Sequence, residues 1–296
     1  MFFLYNIVIY IYTGLIKLAS ISNAKARQWV VGRKDIFSHI ASCIDSSRPH
    51  VWFHTASLGE FEQGRPVMEA FRRQHPEYKI VLTFFSPSGY EIRKNYDGAD
   101  YVFYLPADTK KNARRFLQLI NPAMVFFVKY EFWFNYIHLV SQRNIPLYFF
   151  SVKFRPEQFF FAWYGGWFRR NLKKINRIFV QDEASLQLLK NIGYTHGIVS
   201  GDTRFDRVLS VAQNKKSFPL LTLFAGNQKI MIAGSTWPPD EEMLLQFINK
   251  NTPGLKYIIA PHEIDINRIA NFQSALKVAS IPVSYTHLTL PTNREV

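Results

Sequence analysis

Cysteine is nearly absent from this chain. Of 296 residues only Cys43 is a cysteine, which excludes an internal disulfide and makes a reducing compartment the simple reading. The eight histidines are scattered, and no Cys/His cluster has zinc-ligand spacing. Acid is scarce beside base: 22 Asp and Glu against 36 Lys and Arg, a net charge of +14. Such a chain should meet polyanions, whether nucleic acid, anionic lipid or phosphorylated substrate. Several motifs are missing as well. There is no G-x-x-x-x-G-K-S/T phosphate loop, no G-x-G-x-x-G dinucleotide turn, no G-x-S-x-G elbow and no D-x-D pair.

What is present is apolar and aromatic. The apolar share is 48% and the charged share 20%, which excludes disorder and collagen. Aromatics reach 16%, with 27 Phe, and hint at an apolar partner or surface. Residues 2–16 (FFLYNIVIYIYTGLI) form an apolar run interrupted by Asn6, Thr13 and Gly14. The run is shorter than the ~20 residues of an ordinary spanning helix. No basic residue precedes it, as a secretory signal would require. Lys17, Lys25, Arg27, Arg33 and Lys34 come after it, and no acid appears before Asp35. An uncleaved anchor over residues 1–20, spanning or interfacial, with the rest of the chain kept cytoplasmic, is the preferred reading. A buried first helix is the alternative.

From residue 51 onward, near-continuous apolar runs alternate with amphipathic ones. Strands are expected at 51–55, 79–84, 101–105, 124–128, 146–151, 177–180 and 197–200. Helices are expected between them, at 61–74, 109–120, 132–143 and 182–192. This alternation indicates a parallel sheet covered on both faces. A weaker stretch, 207–226, reads as a connection. A second series then begins, with strands 229–233, 256–260 and 280–283 and helices 239–249 and 263–276. Two successive doubly wound units suggest a ligand held between them.

Candidate chemistry collects at the C-terminal ends of these strands. Ser57-Leu58-Gly59-Glu60 comes after the first. It fits a capping box with Ser57 as N-cap and Glu60 at N3, or a ligand turn in which Glu60 is a general base. Ser86-Pro87-Ser88-Gly89 is an ordinary helix start whose free N–H groups could receive an anion. Glu131 lies after the fourth strand among aromatics, as a first-turn residue paired with Lys129 or as a buried acid. Gly234-Ser235-Thr236 and Pro261-His262-Glu263 open the helices of the second series; they fit a helix cap and a structural histidine, or a phosphate or nucleotide site. The stretch 153–177 interleaves Lys153, Arg155, Arg169, Arg170, Lys173, Lys174 and Arg177 with ten residues rich in Phe, Trp and Tyr. It reads as a core helix with a basic face, a nucleic-acid stacking surface or a lipid-surface segment.

In order, the blocks VWFHTASLGE, LTFFSPSGYE, FYLPADT, VKYEFWFN, VQDEASLQLLKNIG, VSGDTRFD, IAGSTWPPDEE and IIAPHE resemble the bacterial Kdo (3-deoxy-D-manno-octulosonic acid) transferases. The resemblance runs from the first residue to about residue 280 and carries several implications. The fold would be α/β and GT-B-like, with two Rossmann-like doubly wound domains, the second incomplete. An acceptor-side domain would span 21–206, with 207–226 as linker and a partial donor-nucleotide domain at 227–283. The reaction would be inverting transfer of Kdo from CMP-Kdo to a lipid A precursor, lipid IVA, with no metal and no other cofactor. It would occur at the cytoplasmic face of the inner membrane, on an anionic lipid surface and without nucleic acid. Glu60 matches the family's base and Glu131 its second essential acid. Ser57, Gly59, Ser88, Gly89 and Lys153 fall on the acceptor side, and Arg204, Ser235, Thr236 and His262 on the donor side. Arg204 replaces a more usual Lys, Lys129 stands where many members have Glu, and 151–155 departs from the common block. Residues 284–296 match nothing in the family and are expected to be a non-native tail on a shortened chain. The rival readings are another GT-B enzyme, such as a nucleotide-sugar epimerase or a different glycosyltransferase, and a basic membrane- or nucleic-acid-binding protein without catalysis.

Overall fold

Why the apolar runs become strands is clearest in the first. VWFHT is built of β-branched and aromatic residues, and all six residues of β1 (His50–Thr55) are buried. Successive side chains point to opposite faces of the sheet. Val51 and Phe53 join one cluster with Phe61, Met68 and Leu82. Trp52 joins another, with edge-on contacts to Phe116, Phe127 and Tyr136. Each such buried side chain contributes roughly 1.5–3 kcal/mol. Much of the aromatic content is therefore core rather than partner surface.

The computed structural model describes residues 1–213, 218–250 and 252–281. It divides into two units, Met1–Asn214 and Lys215–Val296. The first unit begins with helices α1 (Phe2–Ala19), α2 (Ala24–Val31) and α3 (Ile36–Cys43). After β1 come α4 (Leu58–Gln74), β2 (Lys79–Phe84), α5 (Pro87–Arg93), β3 (Tyr101–Tyr104), α6 (Lys110–Ile120) and β4 (Pro122–Val128). Next in the chain are α7 (Phe134–Gln142), β5 (Leu147–Val152), α8 (Gly166–Leu172), β6 (Arg177–Val180), α9 (Glu183–Asn191), β7 (Gly197–Val199) and α10 (Arg204–Gln213). The strands form one sheet in the order β3-β2-β1-β4-β5-β6-β7, and every pairing is parallel. The order reverses direction at β1, so the switch point lies between the C-terminal ends of β1 and β4, where a doubly wound sheet leaves a crevice for ligand.

The second unit holds α11 (Pro219–Ala225), β8 (Lys229–Thr236), α12 (Pro238–Ile248), β9 (Leu255–Pro261) and α13 (Ile266–Ala275). Its strands pair in parallel, giving a Rossmann-like βαβα unit among the described residues. Helices α10 and α11 take most of the stretch 207–226, and the division between units falls inside it. Helix α10 is held to α4 by an ion pair from Arg207 Nε to Glu62 Oε2, 3.3 Å across 145 residues of sequence, which local pattern does not reveal. In the expected strand 280–283, residues 280 and 281 are not in a strand, and 282–283 lie outside the described residues. So does the tail 284–296.

Helix α1 is long and apolar enough to cross a membrane by length and composition. It nonetheless packs on the first unit: Phe2 meets Trp167 edge-on with ring centroids 5.1 Å apart, and Ile9 is buried.

Candidate active site

Two loops meet the switch point, one after β1 and one after β4. The first runs from Thr55 to α4. Ser57 stands at the N-cap with an extended backbone, yet its hydroxyl caps no N–H. It donates instead to Glu60 Oε2. The expected capping box is not formed, and the Ser57 hydroxyl is spent on holding the carboxylate. Gly59, exposed at the start of α4, has nothing near its Cβ direction except Ser57 Oγ at 3.9 Å. That side of the turn is open for an approaching molecule.

Gly89 is different. A Cβ there would meet the Phe84 ring at 2.3 Å and the Ser57 backbone carbon at 3.0 Å. The absent side chain lets α5 press against the Ser57 turn. Ser86 caps α5 as expected, accepting from Ser88 N–H at 3.3 Å, and its hydroxyl lies 2.9 Å from that of Ser88. Gly89→Ala is expected to destabilise the first unit by about 1–3 kcal/mol through overpacking, measured as a lower urea midpoint.

The second loop comes after β4. Lys129 takes a left-handed backbone (φ 58°), which costs a residue with a Cβ about 1–3 kcal/mol. Its N–H is tied to Phe150 O at 2.9 Å, and its Nζ lies 3.5 Å from Glu60 Oε1. Glu60 is therefore held from both sides, by Ser57 on one oxygen and Lys129 on the other. The expected pairing of Glu131 with Lys129 does not occur. Nor is Glu131 in a first helical turn, because α7 begins only at Phe134.

Glu131 has other partners. Its Oε2 accepts from Trp133 Nε1 at 2.7 Å and lies 3.1 Å from His54 Nε2. His54 is fully buried on β1, and its Nδ1 sits 2.9 Å from Thr83 Oγ1 and 3.1 Å from Thr83 O. If Nδ1 accepts from the Thr83 hydroxyl, Nε2 carries the hydrogen toward Glu131; if Nδ1 donates to Thr83 O, Nε2 of the neutral ring is an acceptor for Trp133 Nε1, 3.1 Å away. His54, Thr83 and Trp133 went unnoticed in the sequence. The available signal was the strand period, which puts His54 on the face of Trp52 at the strand's C-terminal end. His54→Phe keeps an aromatic ring and removes both nitrogens, leaving Thr83, Glu131 and Trp133 without that partner. It is expected to cost about 1–3 kcal/mol in a thermal melt.

Asp108 precedes α6 and is fully buried. Its carboxyl accepts from Tyr5 OH at 2.6 Å, from Asn135 N–H at 3.1 Å and from Tyr136 N–H at 3.1 Å. Burial pushes it up to about 7 despite those three donors, which favour the charged form. Arg33 is held by the backbone carbonyls of Leu105, Trp29 and Phe85 and lies over the Trp29 ring at 3.9 Å. Burial draws it down to about 9.

The remaining candidates are spread more widely. Lys153 is half exposed and pairs with Asp182 at 3.2 Å. Arg204 opens α10 and is bonded to Asp202 at 2.8 and 2.6 Å. In the second unit, Ser235 has a left-handed backbone (φ 59°) and its hydroxyl lies 2.7 Å from His262 Nδ1. The Trp237 ring stacks on His262 at 4.4 Å. Thr236 is buried and donates to Glu241 at 3.1 Å, so its hydroxyl is already engaged. Among the described residues, no group of three or more His, Cys, Asp or Glu could hold a metal ion. In the stretch 153–177, Phe154, Phe160 and Trp167 are core, while Trp163 is 92% exposed.

A family described as 3-deoxy-D-manno-octulosonic-acid transferase (kdotransferase) matches residues 31–207, within the first unit and across both loops. The chain belongs to the Kdo transferase family. The Kdo transferase of Haemophilus influenzae is 26% identical over 238 residues, covering 78% of this chain and 54% of the relative. That of Aquifex aeolicus is 26% identical over 223 residues, covering 74% and 56%. The chain thus spans about half the length of the curated relatives it matches. Among solved structures it is similar to the UDP-GlcNAc 2-epimerase of Neisseria meningitidis bound to UDP-GlcNAc, with TM-score 0.54, 18% identity and coverage of 77% and 69%. It is also similar to an S. aureus MnaA–UDP structure, with TM-score 0.54, 12% identity and coverage of 77% and 66%. At these identities the likeness speaks for the fold alone, which is α/β and GT-B-like. The fold is shared with these epimerases and does not separate the two readings; family membership favours the Kdo transferases.

Proposed function

We propose that this protein transfers Kdo from CMP-Kdo to a lipid A precursor, lipid IVA, by inverting direct displacement. The observation that carries the reading is Glu60: a carboxylate after β1, beside the sheet's switch point, held by Ser57 and Lys129 next to the open turn at Gly59. In the proposed step Glu60 takes the proton from an acceptor hydroxyl. That oxygen forms a bond to the anomeric carbon of Kdo while the bond to the CMP phosphate breaks, and CMP leaves with the electron pair. The acceptor-side role of Ser88, Gly89 and Lys153 and the donor-side role of Arg204, Ser235, Thr236 and His262 belong to the same proposal. Glu131, fixed by His54 and Trp133, is its second acid. The excess of cations suits an anionic glycolipid at the cytoplasmic face of the inner membrane.

Acceptor dependence tests this reading. Membranes carrying the protein should release CMP from CMP-Kdo only when lipid IVA is present. CMP release independent of acceptor, or epimerised nucleotide sugar in place of a lipid product, would return the rival enzyme readings.

A further inference from the structure

Helix α1 is amphipathic in the unusual sense. A helix on the surface of a water-soluble domain turns its apolar stripe inward and its polar side chains outward. In α1 the polar side chains Tyr5 and Asn6 face the domain. Tyr5 OH bonds Asp108, and Asn6 Oδ1 accepts from Lys110 N–H at 3.2 Å and from Asn135 Nδ2 at 3.3 Å. Tyr5 packs edge-on against Phe134 at 5.3 Å, and farther along α1 Tyr12 stacks on Phe85 at 6.3 Å. The outward face is aliphatic and aromatic. Phe3, Leu4, Val8, Ile11, Leu15 and Leu18 are each more than half exposed. Water is a poor solvent for such a face.

The inward contacts also oppose a spanning arrangement. Asn6 supplies an acceptor to the first N–H of α6, and Tyr5 occupies the carboxylate that caps α7. Drawing α1 away into a bilayer would strip buried groups of those partners and uncover Trp167. At 18 residues the helix is about 27 Å long, at the short end of what spans a hydrocarbon core of about 30 Å.

We propose that α1 is an in-plane membrane helix, staying docked on the first unit and laying its outer face into the boundary between headgroups and acyl chains of an anionic bilayer. The proposal rests on the membrane location proposed for the enzyme and replaces its open choice between spanning and interfacial. Charge identifies the occupant. Residues 1–34 contain no acid, while Lys17, Lys25, Arg27 and Lys34 are exposed at and beyond the helix end. Cations beside an apolar face match anionic headgroups above acyl chains. Phe2 rests on Trp167, and the loop just before α8 exposes Trp163 and Tyr164, ring types that settle at headgroup level.

The test uses the full chain with its exposed Cys43 replaced (Cys43→Ser) and a single nitroxide label at position 4, 8, 11 or 15 on the outer face. Label depth is measured by paramagnetic relaxation in phosphatidylethanolamine–phosphatidylglycerol vesicles. The four labels should lie at one shallow depth, about 5–10 Å below the headgroups. A gradient of about 16 Å from position 4 to position 15 is what a spanning helix gives, and would overturn the in-plane arrangement while leaving the membrane location intact. Labels in water at all four positions would overturn both.

Discussion

Glu60→Gln is expected to lower the rate of Kdo transfer by about 10²–10⁴-fold, the usual contribution of a positioned general base. The amide is nearly isosteric and can still accept from the Ser57 hydroxyl, so the turn before α4 should keep its shape. Loss of the ion pair with Lys129 matters little to stability, since both side chains are partly exposed and such pairs contribute about 0–1 kcal/mol. The effect should therefore fall on turnover, with unchanged melting and little change in the acceptor concentration needed for half-maximal rate. Glu60→Asp should retain part of the activity, because the base survives on a shorter arm. Full activity in Glu60→Gln would remove Glu60 from the base role.

The largest stability effect is expected at Asp108. Asp108→Ala leaves Tyr5 OH, Asn135 N–H and Tyr136 N–H without their acceptor in a buried place. Each orphaned donor costs about 1–3 kcal/mol, so a loss of about 4 kcal/mol is expected, a large part of the 5–15 kcal/mol typical of a domain. The loss should depend on pH, and its sign comes from the carboxyl's two states. Burial raises Asp108 in the folded protein to about 7, above its ordinary value of 3.8. Between those values the folded state binds the extra proton, so wild-type stability falls as pH rises from about 4 to about 7. Above pH 7 the native protein carries a buried charge, and the penalty for Asp108→Ala shrinks. Denaturant titrations at pH 5 and pH 8 check this. A penalty that grows toward pH 8 would mean that the three donors outweigh burial.

The fold was legible because the central strands of its first sheet are buried on both faces. Runs such as VWFHT and KIVLTF admit little else, and β1 to β7 lie within two residues of their expected bounds. What local pattern could not supply was partnership across the chain. The spacing of Ser57 and Glu60 fits a capping box, and only the fold shows the hydroxyl turned to the carboxylate while Lys129 arrives from β4, 69 residues away. His54 and Glu131 lie 77 residues apart and meet because β1 and β4 are neighbours. Glu131 falls before α7 rather than inside it because a tight turn, with Trp133 N–H bonded to Glu131 O at 2.9 Å, delays the helix. In the sequence Asn6 is no more than an interruption of the N-terminal apolar run. In the fold it is the contact that joins α1 to α6 and α7.

Transfer of Kdo onto a lipid acceptor leaves a plain signature in the mass of the product. Membranes carrying the protein are incubated with CMP-Kdo and lipid IVA, and the lipid fraction is read by mass spectrometry. The expected product is lipid IVA heavier by one or more Kdo residues, absent when Glu60→Gln replaces the wild type. Unmodified lipid IVA, in membranes where the Haemophilus influenzae relative forms product under the same conditions, would show that this chain is not the transferase proposed.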